Sequence, residues 1–177
     1  MWPTVAASRQ CAECGWDVAG RPDADLAGLL DAEGDAWAAV LEDAPLAGLR
    51  WRPDPETWTG LEYAAHVRGV LTVFAERVVR MLGEEDPVLV VWDDEAAVLA
   101  EAYDEQDPAE VLDGLQVAAG AYGEQLVELP GEMWSRTGRR EDTVFTVSSI
   151  SWYGLHESTH HRFDVERSLQ QAAEAGS

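Results

Sequence analysis

The sequence contains no lysine, and all 12 of its basic residues are arginines, against 34 acidic residues and a formal net charge of -22. Without lysine, neither a lysine Schiff base nor a phosphate-binding P-loop lysine can exist here. The scarcity of positive charge argues against nucleic acid as a partner, because affinity for phosphate backbones comes mainly from Lys and Arg. The same scarcity argues against binding to an anionic membrane surface.

Long apolar runs are also absent. No stretch approaches the roughly 20 apolar residues that span a bilayer, and the first residues, MWPTVAASRQC, lack the apolar core of a secretory signal. We therefore expect a cytoplasmic protein. The only two cysteines, Cys11 and Cys14, are then expected to be reduced.

The apolar pattern predicts an all-α domain over residues 24–173, preceded by an irregular segment, residues 1–23, that holds both cysteines. Apolar residues recur at helical spacing in four segments, at about 25–45, 57–82, 108–129 and 148–173. Between the last two, β-branched residues in alternation predict a small hairpin or an extended arm. Four long helices in one domain predict a four-helix bundle, a fold that often builds metal sites from facing helices.

Histidine is rare, and three of the four histidines fall within the last helix. His156 and His160 are four residues apart and therefore share one face of that helix. At 100° per residue from Trp152, they fall at about 40° and 80°, on the aromatic side of the helix. Glu157 and His161, at about 140° and 180°, form a second pair with the same spacing. The periodicity favours His156 and His160 as metal ligands without excluding the second pair.

The fourth histidine, His66, lies beside an apolar face of the second predicted helix. Together with His156 and His160 it predicts a site for one divalent metal ion. A nitrogen-rich ligand set suits Zn, Ni, Fe or Cu. Three protein ligands would leave at least one position open on the ion, as in catalytic sites.

The segment HESTH, residues 156–160, also matches the HExxH signature of zinc peptidases, in which Glu157 would be the general base. The longer metzincin signature fails, because Phe163 stands where glycine is required and no histidine follows Phe163. A small zinc peptidase is therefore the weakest of the functional interpretations.

Two segments, ETWTGLEYAAHVRGVL and FTVSSISWYGLHESTHHRFDVE, resemble the DinB-like superfamily, in the actinobacterial branch related to mycothiol-dependent maleylpyruvate isomerases. The most specific matches are Trp58-x3-Glu62-x3-His66 and the block from His156 to Asp164. The resemblance implies a DinB-like four-helix bundle with a three-ligand metal site. Carried onto this sequence, the ligands are His66, His156 and His160, or, in the register of the isomerases, His66, Glu157 and His161.

The resemblance also implies a class of activity. It predicts a divalent-metal-dependent enzyme, with zinc or nickel as the ion, that uses mycothiol or a similar low-molecular-weight thiol in a transferase or isomerase reaction. A small-molecule substrate and a homodimer are implied in the same way. The alternative is a non-enzymatic, stress-related metal-binding protein that retains the same residues.

The two cysteines form the motif Cys11-Ala-Glu-Cys14-Gly-Trp, which resembles one knuckle of a zinc ribbon. A complete structural zinc site needs four ligands, and the sequence has no second cysteine pair. The motif is therefore interpreted as half of a second metal site completed by a partner chain, as a redox pair, or as a relic that binds nothing. In each case we expect it to be separate from the histidine site.

Overall fold

The computed structural model describes residues 9–176 and is predominantly helical. Its helices are α1 (Leu26–Leu41), α2 (Leu46–Leu49), α3 (Gly60–Gly83), α4 (Asp94–Ala100), α5 (Pro108–Leu126) and α6 (Val147–Ala175). The four long helices form the bundle, in which α1 and α3 each pack against both α5 and α6. This confirms the predicted all-α four-helix bundle. Within the described residues, no helix is both long enough and apolar enough to cross a membrane.

Local sequence signals mark where three of the four long helices begin. Helix α3 starts with a capping box, in which the Thr59 hydroxyl accepts from the Glu62 backbone N–H and the Glu62 carboxylate accepts from the Thr59 N–H. Arg52 donates to the same carboxylate at 2.6 and 2.7 Å. Helix α5 has Pro108 in its first turn, and α6 is capped by the Thr146 side chain. The start of the helix that carries His66 is therefore held by several hydrogen bonds.

The predicted hairpin lies immediately before the last helix. Its strands, β1 (Thr137–Arg140) and β2 (Thr143–Thr146), pair antiparallel, with Gly138 opposite Phe145. Leu89 donates its backbone N–H to the Arg139 carbonyl at 2.6 Å, so the chain between α3 and α4 runs beside the hairpin. Because the cap of α6 is the last residue of β2, the hairpin sets the point at which α6 enters the bundle.

The N-terminal segment, of which residues 9–25 are described, packs on one face of α6. The Cys11 N–H bonds the Trp16 carbonyl at 2.8 Å, which closes a tight turn around the two cysteines. Asp23 accepts from the indole N–H of Trp152 at 2.7 Å, and the Arg9 guanidinium lies 4.8 Å from the Trp152 ring centroid. The face of α6 that carries Trp152 is thus covered by residues 9–25, while residues 1–8 lie outside the described part.

Two features hold α6 against the rest of the bundle. Gly154 lets α3 approach closely, because a Cβ at this position would lie 2.9 Å from the Phe74 ring. A buried polar chain joins α6 to α1: the indole N–H of Trp37 donates to the Ser158 hydroxyl at 3.0 Å, and Ser158 donates to Glu33 at 3.0 Å. Together they fix both the depth and the rotation of α6, on which the candidate ligands lie.

Candidate metal centre

Helix α6 presents one pair of ligand residues to α3. A ligand atom from each of His66, Glu157 and His161 lies within 4.8 Å of the other two, close enough to share one ion. The rings of His66 and His161 are nearly perpendicular, with centroids 5.1 Å apart. His66 comes from the middle of α3, and the other two residues are one turn apart on α6. We call these three residues the bundle group.

The other pair on α6 faces the N-terminal segment. Cys11 Sγ lies 3.8 Å from His160 Nδ1, and Cys14 Sγ lies 3.7 Å from His156 Nε2. All four ligand atoms lie within 4.8 Å of one another, and the two cysteines are free thiols. We call these four residues the knuckle group.

The structure divides the residues that the sequence predicted to act together. His66 is grouped with Glu157 and His161, which is the register of the isomerases, whereas His156 and His160 are grouped with the cysteines. The cysteine motif was expected to be separate from the histidine site. It lies beside His156 and His160 of the first predicted ligand set, and it is separate only from the alternative set, His66, Glu157 and His161. The aromatic side of α6 at Trp152, which the periodicity favours for the ligands, is covered by residues 9–25. No periodicity argument could reveal this contact, because it joins two segments that are far apart in sequence.

The bundle group is buried and contains unsatisfied polar atoms. His66 is 3% exposed and Glu157 is 8% exposed. Burial, with the neighbouring charge of His161, lowers the pKa of His66 to about 3, so this imidazole is neutral at physiological pH. Within residues 9–176, His66 Nδ1 and Glu157 Oε1 have no hydrogen-bond partner. Buried polar atoms are normally paired, so the residues fit a bound cation that would satisfy them.

A carboxylate orients the third residue of the bundle group. Asp164 Oδ2 lies 3.2 Å from His161 Nδ1, and Glu157 Oε2 lies 3.7 Å from His161 Nε2. Burial alone would lower the pKa of His161, but the contacts with Asp164 and Glu157 outweigh it and raise the pKa to about 9. The ring is therefore protonated in the metal-free protein, and a cation bound beside Glu157 would displace the Nε2 proton while Asp164 holds the proton on Nδ1. Carboxylates commonly support metal-bound histidines in this way.

Aromatic rings surround the bundle group. The Trp58 ring centroid lies 5.0 Å from that of His66, and Trp92 stacks on His66 at 5.4 Å with the planes 13° apart. Tyr63 stacks on His161 at 5.1 Å. Trp92 also lines a cavity of about 870 Å³ between α3 and α5, a volume that suits a small molecule. The Trp92 ring is therefore a wall shared by the cavity and His66.

The knuckle group is also largely enclosed. His156 is 0% exposed and His160 is 5% exposed, and the Trp16 ring centroid lies 4.8 Å from that of His156. Burial, followed by the charges of His160 and His161, lowers the pKa of His156 to about 4. Burial raises the pKa of the Cys14 thiol to about 11. A redox-active C-x-x-C pair requires a lowered thiol pKa, so this environment does not favour the redox interpretation.

The peptidase interpretation requires His156 and His160 to share an ion while Glu157 stays available as the general base. In the structure His156 and His160 lie together, but the two cysteines complete their group and leave no position for a water, and Glu157 belongs to the bundle group instead. The geometry therefore does not support an HExxH arrangement.

Comparison with known proteins agrees with this architecture. A family model described as the DinB superfamily matches residues 29–163, and the chain belongs to that superfamily. Its fold is similar to that of YfiT from Bacillus subtilis, described as a probable metal-dependent hydrolase with an unusual four-helix bundle topology. The TM-score is 0.76 at 18% sequence identity, over 88% of this chain and 89% of YfiT. A search of the curated proteins finds no significant match.

Proposed function

We propose that this protein is a divalent-metal-dependent enzyme in which His66, Glu157 and His161 hold the ion and a low-molecular-weight thiol is the nucleophile. One observation carries the proposal: the three ligand atoms lie within 4.8 Å of one another, in the register implied by the resemblance to mycothiol-dependent isomerases. Asp164, three residues after His161, matches the same register and contacts the His161 ring.

The donor set is that of a catalytic rather than a structural site. Two histidines and one glutamate leave a coordination position for a small molecule, and zinc and nickel both accept such ligands. When bound, the ion would supply Lewis acidity that favours the thiolate form of a coordinated thiol. His66 is ready to ligate because its imidazole stays neutral, and Glu157 supplies negative charge that offsets part of the charge of the ion.

The surroundings of the bundle group restrict what reaches it. Trp58, Tyr63 and Trp92 limit access of water, and a dry site strengthens electrostatic interactions with a reacting group. The Trp92 ring separates the 870 Å³ cavity from His66. Replacement of Trp92 by alanine is expected to connect this cavity to His66 and to speed removal of the ion by a chelator. A rate of removal equal to that of the wild-type protein would contradict this role of the ring.

The decisive experiment compares metal-depleted protein with protein reloaded with zinc or nickel. Each form is given mycothiol or a cysteinyl thiol together with an electrophilic carbon substrate, and loss of the thiol is followed. We expect turnover only in the reloaded protein and its loss in Glu157→Gln and His161→Gln. Glu174→Gln, the same isosteric change at an exposed position of α6, is the matched control. Equal turnover in Glu157→Gln and Glu174→Gln would refute the proposal.

Hydrolysis is the second candidate function, favoured by the likeness to YfiT. The same samples are therefore assayed with an activated ester in the absence of thiol. Metal-dependent ester cleavage that is lost in Glu157→Gln, without any thiol consumption, would replace the thiol with water as the nucleophile. Metal bound at the bundle group without either activity would instead support the non-enzymatic metal-binding protein.

A further inference from the structure

The knuckle group is not used by the proposed function, and its composition is that of a closed structural site. Two cysteines and two histidines are one of the standard ligand sets of four-coordinate zinc. A tetrahedral ion with Zn–S near 2.3 Å and Zn–N near 2.0–2.1 Å requires sulfur-to-nitrogen separations of roughly 3.5–3.6 Å. The two separations in the structure are 3.8 Å and 3.7 Å. The four side chains are thus already close to the spacing that a zinc ion would impose.

The backbone around the cysteines has the shape that this site needs. The bond from the Cys11 N–H to the Trp16 carbonyl turns the chain so that both sulfurs face α6. Gly15, directly after Cys14, has φ +74°, a conformation that glycine adopts without strain. The spacing C-x2-C and the spacing H-x3-H are both typical of zinc sites.

Supporting contacts complete the surroundings of the knuckle group. The Nδ1 atom of His160 faces Cys11, and its Nε2 atom lies 3.6 Å from Asp164 and 3.8 Å from Glu13. A carboxylate beside the second ring nitrogen is the usual outer partner of a metal-bound histidine. The buried Trp16 ring packs against the ring of His156. The group therefore has four ligands, outer carboxylates and an apolar cover.

We propose that Cys11, Cys14, His156 and His160 bind a structural zinc ion that fastens the N-terminal segment to α6. This site is distinct from the bundle group, because the two share no ligand. The two groups lie side by side because their residues on α6 are adjacent in sequence: Glu157 follows His156, and His161 follows His160. An ion in the knuckle group would hold the rotation of α6 about its axis and so hold Glu157 and His161 toward His66.

The test uses the full chain loaded with cobalt(II), which gives a sulfur-to-metal charge-transfer absorption only when thiolates are ligands. We expect this absorption in the wild-type protein and in the double variant Glu157→Gln/His161→Gln. We expect its complete loss, together with the loss of one zinc equivalent by mass spectrometry, in Cys11→Ser/Cys14→Ser. Circular dichroism of each variant checks that the bundle has folded. Absence of the absorption in the wild-type protein, or unchanged zinc content in the cysteine variant, would overturn the proposal.

Hydrogen exchange supplies a second readout that does not depend on activity or on substitution. The amides of Cys11 and Val18 are bonded within the knuckle, so chelation of zinc from the wild-type protein should accelerate exchange over residues 9–20. Exchange within α5, which contributes no ligand to either group, is the internal control. If exchange at residues 9–20 is the same with and without zinc, an ion does not fasten this segment, and the proposal fails.

Discussion

His160 and His161 are adjacent in the sequence, yet their rings are nearly perpendicular, at 88°, and belong to different ligand groups. Asp164 contacts both rings, at 3.6 Å from His160 Nε2 and at 3.2 Å from His161 Nδ1. A single carboxylate is therefore positioned to orient one histidine of each group.

Replacing Asp164 by asparagine is expected to weaken both candidate sites. Loss of such an outer carboxylate typically lowers metal affinity about 10–100-fold, because the ligating ring is less basic and less well oriented. Competition with a chelator, followed separately by cobalt–thiolate absorption and by total metal, measures both affinities. Glu157→Gln is the comparison, since it should weaken only the bundle group. A change in one affinity alone would show that Asp164 serves a single site.

The polar chain between α1 and α6 predicts a difference between two buried serines on the same helix. Ser158→Ala removes the acceptor of the buried Trp37 indole and should cost about 1–3 kcal/mol in free energy of unfolding. Ser168→Ala should have little effect, because the Ser168 hydroxyl has no hydrogen-bond partner in the described part of the chain. Both changes alter helix propensity equally. Urea unfolding of the two variants gives the difference, and equal stabilities would contradict this account.

Close packing of α3 on α6 predicts opposite outcomes for two glycine-to-alanine changes. Gly154→Ala places a Cβ 2.9 Å from Phe74 and 3.2 Å from Tyr122, so overpacking should lower stability by about 1–3 kcal/mol. Gly120→Ala, in α5, meets no atom within 4 Å and should raise stability by about 0.5–1 kcal/mol through helix propensity. Thermal unfolding of both variants checks the sign. A stabilised Gly154→Ala protein would mean that the helices are not packed this closely.

Alkaline pH should destabilise the protein through Tyr153. Burial, with the charge of Glu157 adding to it, raises the pKa of this phenol to about 12. The folded state therefore holds the proton more tightly than the unfolded state, whose phenols titrate near pH 10. The stability contributed by the neutral phenol is complete below pH 10 and is lost as the pH rises from 10 through about 12.

The loss should reach up to about 2–3 kcal/mol for the metal-free protein, and Tyr153→Phe should remove that part of the pH dependence. Chemical unfolding at pH 8 and at pH 11 provides the measurement, and it should show about 1.4 kcal/mol of this loss, because pH 11 lies midway between the unfolded and folded pKa values. Burial also raises the pKa of Tyr122, so some alkaline loss should remain in the single variant. Identical pH dependence in the variant and the wild-type protein would show that Tyr153 does not titrate in this way.

The helices were predictable from the sequence because their signals are local. Apolar residues recur at helical spacing, Thr59 and Glu62 have the spacing of a capping box, and Pro108 stands in a first turn. The hairpin before α6 was predictable from alternation for the same reason. The segment between the first two predicted helices contains the single-turn helix α2, which is too short to leave a periodic signal.

The grouping of the ligands was not predictable from α6 alone. Both pairs have the same spacing, and the choice between them depends on which side of α6 faces α3. Trp152 and its neighbours mark a buried face, but burial by residues 9–25 and burial by the bundle leave the same apolar signal. The contacts of Asp164 with both His160 and His161 were likewise not predictable, because they depend on the ring orientations of these two consecutive histidines.

Because α6 contributes one ligand pair to each of two groups, the metal content of a purified sample does not by itself tell which group holds the ion. The knuckle group offers thiolate sulfur, which soft ions prefer, whereas the bundle group offers nitrogen and carboxylate oxygen, which harder ions accept. The order in which the two groups fill then depends on the ions in the growth medium. A preparation that carries one full equivalent of metal can therefore still be inactive, because the ion occupies the knuckle group and leaves His66, Glu157 and His161 without one.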